Sequence, residues 1–119
     1  MNTVPTDEEQ ALLTGAYRDF NARQIDAVLA RMDPNVDWPN GMEGGRVNGH
    51  EQVRSYWTRQ WGMIDPHVEA LELVKDEEGR IAVRVHQVVN DLEGNLLSDT
   101  IVHHVYCIQN GLILRMDIE

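Results

Sequence analysis

The chain has 119 residues, 42% hydrophobic and 25% charged, enough for one soluble domain with a real core and too few for two. Its 20 acidic and 10 basic side chains leave a formal charge of −10, which argues against nucleic acid or an anionic membrane surface as partner and disfavours a highly anionic substrate. No cationic–apolar leader opens the chain and no apolar run nears the ~20 residues of a membrane span, so the expected location is the cytoplasm.

Residues 1–5 form a short lead, expected to be loosely ordered. Thr6-Asp7-Glu8-Glu9 reads as a capping box, with Leu12, Leu13, Ala16, Tyr17 and Phe20 following at helical spacing. Asn21-Ala22-Arg23 breaks this helix. Ile25, Val28, Leu29 and Met32 define a second, which Asp33-Pro34 ends. Val36-Asp37-Trp38 predicts a very short strand closed by Pro39-Asn40-Gly41. The glycine-rich stretch 41–49 predicts a flexible lip. Asn48 and Glu51 resemble a second capping pair, opening a third helix with Val53, Tyr56, Trp57, Trp61 and Ile64 on one stripe. Asp65-Pro66 breaks it.

From there the pattern alternates. Strands are predicted at 68–74, 81–89, 96–108 and 112–118, joined by turns at Asp76–Gly79, Asp91–Asn95 and Asn110-Gly111. Asn-Gly between two apolar arms is the strongest hairpin signal in the chain. Cys107, the sole cysteine, sits in the first of those arms and reads as a buried structural thiol. Helices followed by a four-strand meander imply an α+β domain. Three N-terminal helices would pack in the concave face of a strongly curved, mainly antiparallel sheet, a cone-shaped α+β barrel with a small-molecule pocket at its mouth. The whole chain, 1–119, is one domain.

Four segments carry a family likeness: Asn21–Leu29 between the first helices, Asp33–Trp38 entering the first strand, Asn48–Trp57 opening the third helix, and the closing hairpin from His104 to Arg115. In that order the chain resembles the nuclear-transport-factor-2-like superfamily, in its SnoaL-like and ketosteroid-isomerase-like branch. The resemblance implies isomerase, cyclase or dehydratase chemistry without a cofactor, or a binding module of the same fold. In the isomerases a helix-one tyrosine and a protonated late-strand aspartic acid donate to an oxyanion, and a second aspartate is the base. Tyr17 falls near the tyrosine, His104 at the late-strand acid and Trp38 at the base. Tryptophan cannot abstract a proton, so the standard steroid isomerase mechanism is not expected.

With that phase, Val102, His104 and Tyr106 face inward, and Ile101, His103, Val105 and Cys107 face outward, where the resemblance implies a homodimer through the sheet. Tyr17 and His104 are the candidate catalytic residues. Trp38, Trp57, Trp61, His86, Val102, Tyr106 and Asp117 are candidate substrate-binding residues. For His86 the sequence leaves open which face of its strand is inside. The five histidines have no chelating spacing, so no metal is expected. Nor is there a nucleophile elbow, phosphate loop or dinucleotide fingerprint. The expected partner is a small apolar or carbonyl-bearing molecule. Three readings stand: a cofactor-independent enzyme, a non-catalytic small-ligand or protein-binding module, and a structural homodimer with a vestigial pocket.

Overall fold

The first helix starts where its capping residues place it. In the computed structural model, which describes residues 2–119, Thr6 Oγ1 accepts from the Glu9 amide at 3.1 Å and Glu9 Oε1 accepts from the Thr6 amide at 2.8 Å. This reciprocal pair opens α1 (Asp7–Asn21), which buries Leu13, Ala16 and Tyr17. Ahead of it, Thr3 exchanges two backbone hydrogen bonds of 2.8 Å with Lys75, so that part of the lead is held against the sheet. Arg23, at φ 62°, turns the chain into α2 (Ile25–Leu29).

Here the periodicity overreaches. Met32, predicted as the last core position of the second helix, instead opens β1 (Met32–Pro39). Pro34 is tolerated inside that strand because its pairing with the neighbouring strand is interrupted between Met32 and Asp37. The predicted glycine-rich loop contains a further strand, β2 (Arg46–Asn48), antiparallel to Asp37–Pro39. Next comes α3 (Gly49–Trp61), where Asn48 provides no side-chain cap. Its amide donates to Gln52 Oε1 at 2.7 Å, so Gln52 rather than Glu51 closes this helix start.

Ile64, expected on the helical stripe, begins β3 (Ile64–Lys75). Pro66 does not break it, because β3 is an edge strand and one of its sides needs no donor. The meander continues as predicted through β4 (Ile81–Asp91), β5 (Leu96–Gln109) and β6 (Leu112–Ile118). Asn110 and Gly111 have φ of 53° and 77°, the paired positive values of a type I′ hairpin turn.

The sheet runs β2-β1-β6-β5-β4-β3, with β1 and β6 parallel and all other neighbours antiparallel. It is curved but not closed, since β2 and β3 remain edges. The helices fill its concave side, and Leu13, Val28, Val36, Val53 and Ile113 form the core there. Ile81, Val83 and Val85 are fully buried, which settles the phase of β4: its apolar row lines the inside of the cone.

Candidate functional site

Alternation along β5 separates the two adjacent histidines. His103 is exposed on the outer face, whereas His104 is buried, 7% exposed, under α1. Its Nδ1 lies 2.8 Å from Tyr17 Oη. Tyr106, two residues along the same inward row, donates its O–H to Tyr17 Oη at 2.8 Å. The Tyr17 ring lies nearly parallel to the imidazole, 14° between planes, and Tyr106 meets Tyr17 edge-on at 88°. Two phenols and an imidazole thus form one buried chain.

Burial fixes their protonation. Desolvation pushes the His104 imidazole down to about 4, and the charge of His103 beside it adds to the fall. The Tyr17 phenol is raised well above its ordinary value by burial first and by Tyr106 second. Tyr106 is raised by burial, with the bond to Tyr17 opposing. All three groups are therefore neutral around pH 7. If Tyr17 donates to Nδ1, the imidazole carries its proton on Nε2. In the other tautomer Nδ1–H donates to Tyr17, the Tyr17 proton is released toward the cavity and Nε2 becomes an acceptor. No described side chain hydrogen-bonds Nε2 in either case.

Above this chain lies a cavity of about 350 Å³. Tyr17, His104 and Tyr106 form its floor, with Val102, Trp38 and Trp57 among its walls. Trp38 stands edge-on to Trp57 at 5.5 Å, so the two indoles make a corner and leave the cavity open. Gly41 and Met42 of the predicted lip also line it, and the Gly41 amide donates to Tyr56 Oη at 3.1 Å. Among the described residues, no Asp, Glu, Lys or Arg side chain lines the cavity.

Three candidates from the sequence lie outside it. His86 faces outward, where its Nε2 is 2.7 Å from Asp99 Oδ1. The register puts it opposite Ile101, on the convex side of the sheet. Asp117 is held between Arg115 and Arg46, at 2.8 Å and 3.0 Å. The Arg115 hydrogen bond keeps its carboxyl below the usual range, so it is a poor base and points away from the floor. Trp61 packs behind the wall, stacked on Trp57 and covered by the Arg23 guanidinium at 5.1 Å.

Sequence reasoning passed over Gln87, Gln60, Tyr56 and Met116, all of which line the cavity. Gln87 did leave a signal. It is the polar interruption in the inward row Ile81, Val83, Val85, Val89.

The fold defines the class, a cone-shaped α+β domain like that of NTF2-like proteins. Within it the chain belongs to the SnoaL-like domain family, whose model matches residues 13–116. No curated protein matches the chain. Among solved structures, an NTF2-like protein of unknown function from Burkholderia pseudomallei is similar, with TM-score 0.83, 24% identity and coverage of 96% of this chain and 91% of that one. TerC co-crystallised with polyporic acid is similar at TM-score 0.81 and 23% identity, over 96% and 91%. A Mycobacterium tuberculosis protein in complex with estradiol-17beta-hemisuccinate follows at TM-score 0.78 and 18% identity, over 93% and 92%.

Proposed function

We propose that this domain binds a small, neutral, mostly apolar molecule bearing a carbonyl oxygen, and that it moves a proton on that molecule without a cofactor. The carrying observation is the unpartnered Nε2 edge of His104, joined through Nδ1 to Tyr17, at the floor of a cavity with no charged wall. An ionised ligand would lose its hydration there and gain no counter-charge. A ketone would lose little and gain a hydrogen bond.

The chemistry follows from the tautomers. With Nδ1–H donating to Tyr17, Nε2 accepts a proton from the carbon next to the carbonyl. Tyr17 gives its own proton to the carbonyl oxygen and takes the Nδ1 proton in its place. The ligand becomes the enol, and the imidazole ends as the neutral Nε2–H tautomer. Reversal onto a different carbon isomerises the ligand and restores the protein. A concerted transfer never leaves the imidazole charged, which suits a site that disfavours the charged form. Isomerisation, cyclisation or dehydration of polyketide- or steroid-like compounds all begin with such a step. Similar folds hold polyporic acid in TerC and estradiol-17beta-hemisuccinate in the Mycobacterium tuberculosis protein, which supports a ligand-binding role.

One observation favours a second reading, a binding module without turnover: Trp38 occupies the wall and no carboxylate replaces the missing base. Hydrogen exchange separates the two. With 2-tetralone in D2O, followed by NMR, the enzyme reading expects exchange of the hydrogens beside the ketone at least tenfold above buffer. His104→Gln should remove that acceleration. Binding seen by tryptophan quenching with no faster exchange would leave the binding module. Tighter binding of 2-naphthoate than of 2-tetralone would overturn the neutral-ligand reading altogether.

A further inference from the structure

We infer that Gln87 is a specificity-determining residue, selecting rigid ligands that carry a second polar substituent at the far end from the carbonyl. The inference rests on the ketone-binding reading above and adds the other end of the molecule to it.

The polar groups on the cavity wall are few: the Trp38 and Trp57 indoles can only donate, and several of the others are committed. Tyr17 and Tyr106 are bound up with His104. Tyr56 Oη accepts from the Gly41 amide and from Gln60 Nε2, at 3.1 Å and 3.2 Å. Gln60 gives its Nε2 to Tyr56, and its Oε1 is buried with no described partner, which leaves it an acceptor only. Gln87 differs in keeping both a donor and an acceptor without a described partner. It is half-buried on the inward row of β4, it lines the cavity, and no described group hydrogen-bonds its amide. Half-buried on a mostly apolar wall, with donor and acceptor both free, the amide is available to a polar substituent of a ligand.

Register gives its distance from the floor. Val83 pairs with His104 and Gln87 pairs with Thr100, four residues along β4. At the rise of a strand this is about 13 Å between the two levels. Val102 and Val89 line the wall between and beyond these levels. A ligand that satisfies His104 and Gln87 together is therefore several fused rings long, apolar in the middle and oxygenated at both ends. A single-ring ketone would reach only the floor.

Estrone and 3-deoxyestrone test this, because they share one rigid ring ketone and differ only in the distal hydroxyl. Binding is read by quenching of the wall tryptophans. Wild type should bind estrone about fivefold more tightly than 3-deoxyestrone, the gain of one neutral hydrogen bond. In Gln87→Met that preference should vanish, while 3-deoxyestrone affinity stays within twofold of wild type, which also shows the pocket is intact. Equal affinities in wild type, or a preference that survives in Gln87→Met, would overturn the role of Gln87 and leave ketone binding standing. Failure of both probes to bind would instead count against the ketone-binding reading.

Discussion

His104 is a buried imidazole whose proton affinity the fold has lowered, and this couples stability to pH. Its value falls from about 6.5 in an unfolded chain to about 4 in the folded one. Between these two values the unfolded chain binds the proton and the folded chain does not. Stability is therefore complete above pH 6.5 and is lost as the pH falls toward 4. The full span is on the order of 3 kcal/mol. Urea denaturation at pH 7.5 and pH 4.5 should show a loss of this kind in wild type, and His104→Gln should lose clearly less. An equal loss in both proteins would locate the effect elsewhere. The direction of this residue was legible, since a strand alternates and the Asn-Gly turn fixes the register. It could not reveal that Tyr106 completes the chain with Tyr17, because contacts 87 and 89 residues apart depend on how the helix crosses the sheet.

At the scale of elements, the joint between β1, β2 and β6 rests on a ring of two arginines and two aspartates. Arg46 donates to Asp37 at 2.5 Å and to Asp117 at 3.0 Å, and Arg115 donates to Asp37 at 2.9 Å and to Asp117 at 2.8 Å. Arg46 Nη2 also donates to the Met116 carbonyl, so β2 is tied to β6 across β1. The groups are partly exposed, so each pair alone is worth little. Acting as a network across an irregular parallel pairing, they should matter more. Arg46→Met is expected to cost about 1 kcal/mol in urea denaturation at low salt, with the difference from wild type shrinking in 1 M NaCl. A difference unchanged by salt would assign the loss to packing. The same joint shows why β2 was illegible in the sequence. Three residues in a glycine-rich stretch carry no strand period of their own, and Arg46–Asn48 becomes a strand only because Asp37–Pro39 lies beside it. Likewise Pro34 and Pro66 read as breakers, since sequence does not disclose which side of a strand lacks a partner. Asp117 was legible as sharing a face with Arg115, but that face proved to be the outer one.

The whole molecule exposes a sheet face with nothing on it. Leu97 and Ile101 are 57% and 45% exposed, and Val105 and Cys107 beside them are half-buried. Of the charged groups on that face, Arg84 is paired with Glu72 and His86 with Asp99, at 3.8 Å and 2.7 Å, and Glu69 lies exposed beside His86. A two-fold axis sets one patch against its own copy, where unpaired like charges would repel. Internal pairing reduces that obstacle to Glu69, and the apolar rows supply a driving force. We therefore propose a homodimer through the convex face. A stable one should bury roughly 1,200–2,000 Å² in total. Sedimentation at tens of micromolar should give twice the chain mass of 13.6 kDa. Ile101→Lys, which places two ammonium groups at the contact, should give the single mass. Because Ile101 points away from the cavity, the variant should bind 2-tetralone as wild type does, separating assembly from the site. A wild-type chain that sediments at the single mass would leave the convex face as plain solvent-facing sheet and the cone complete in one copy.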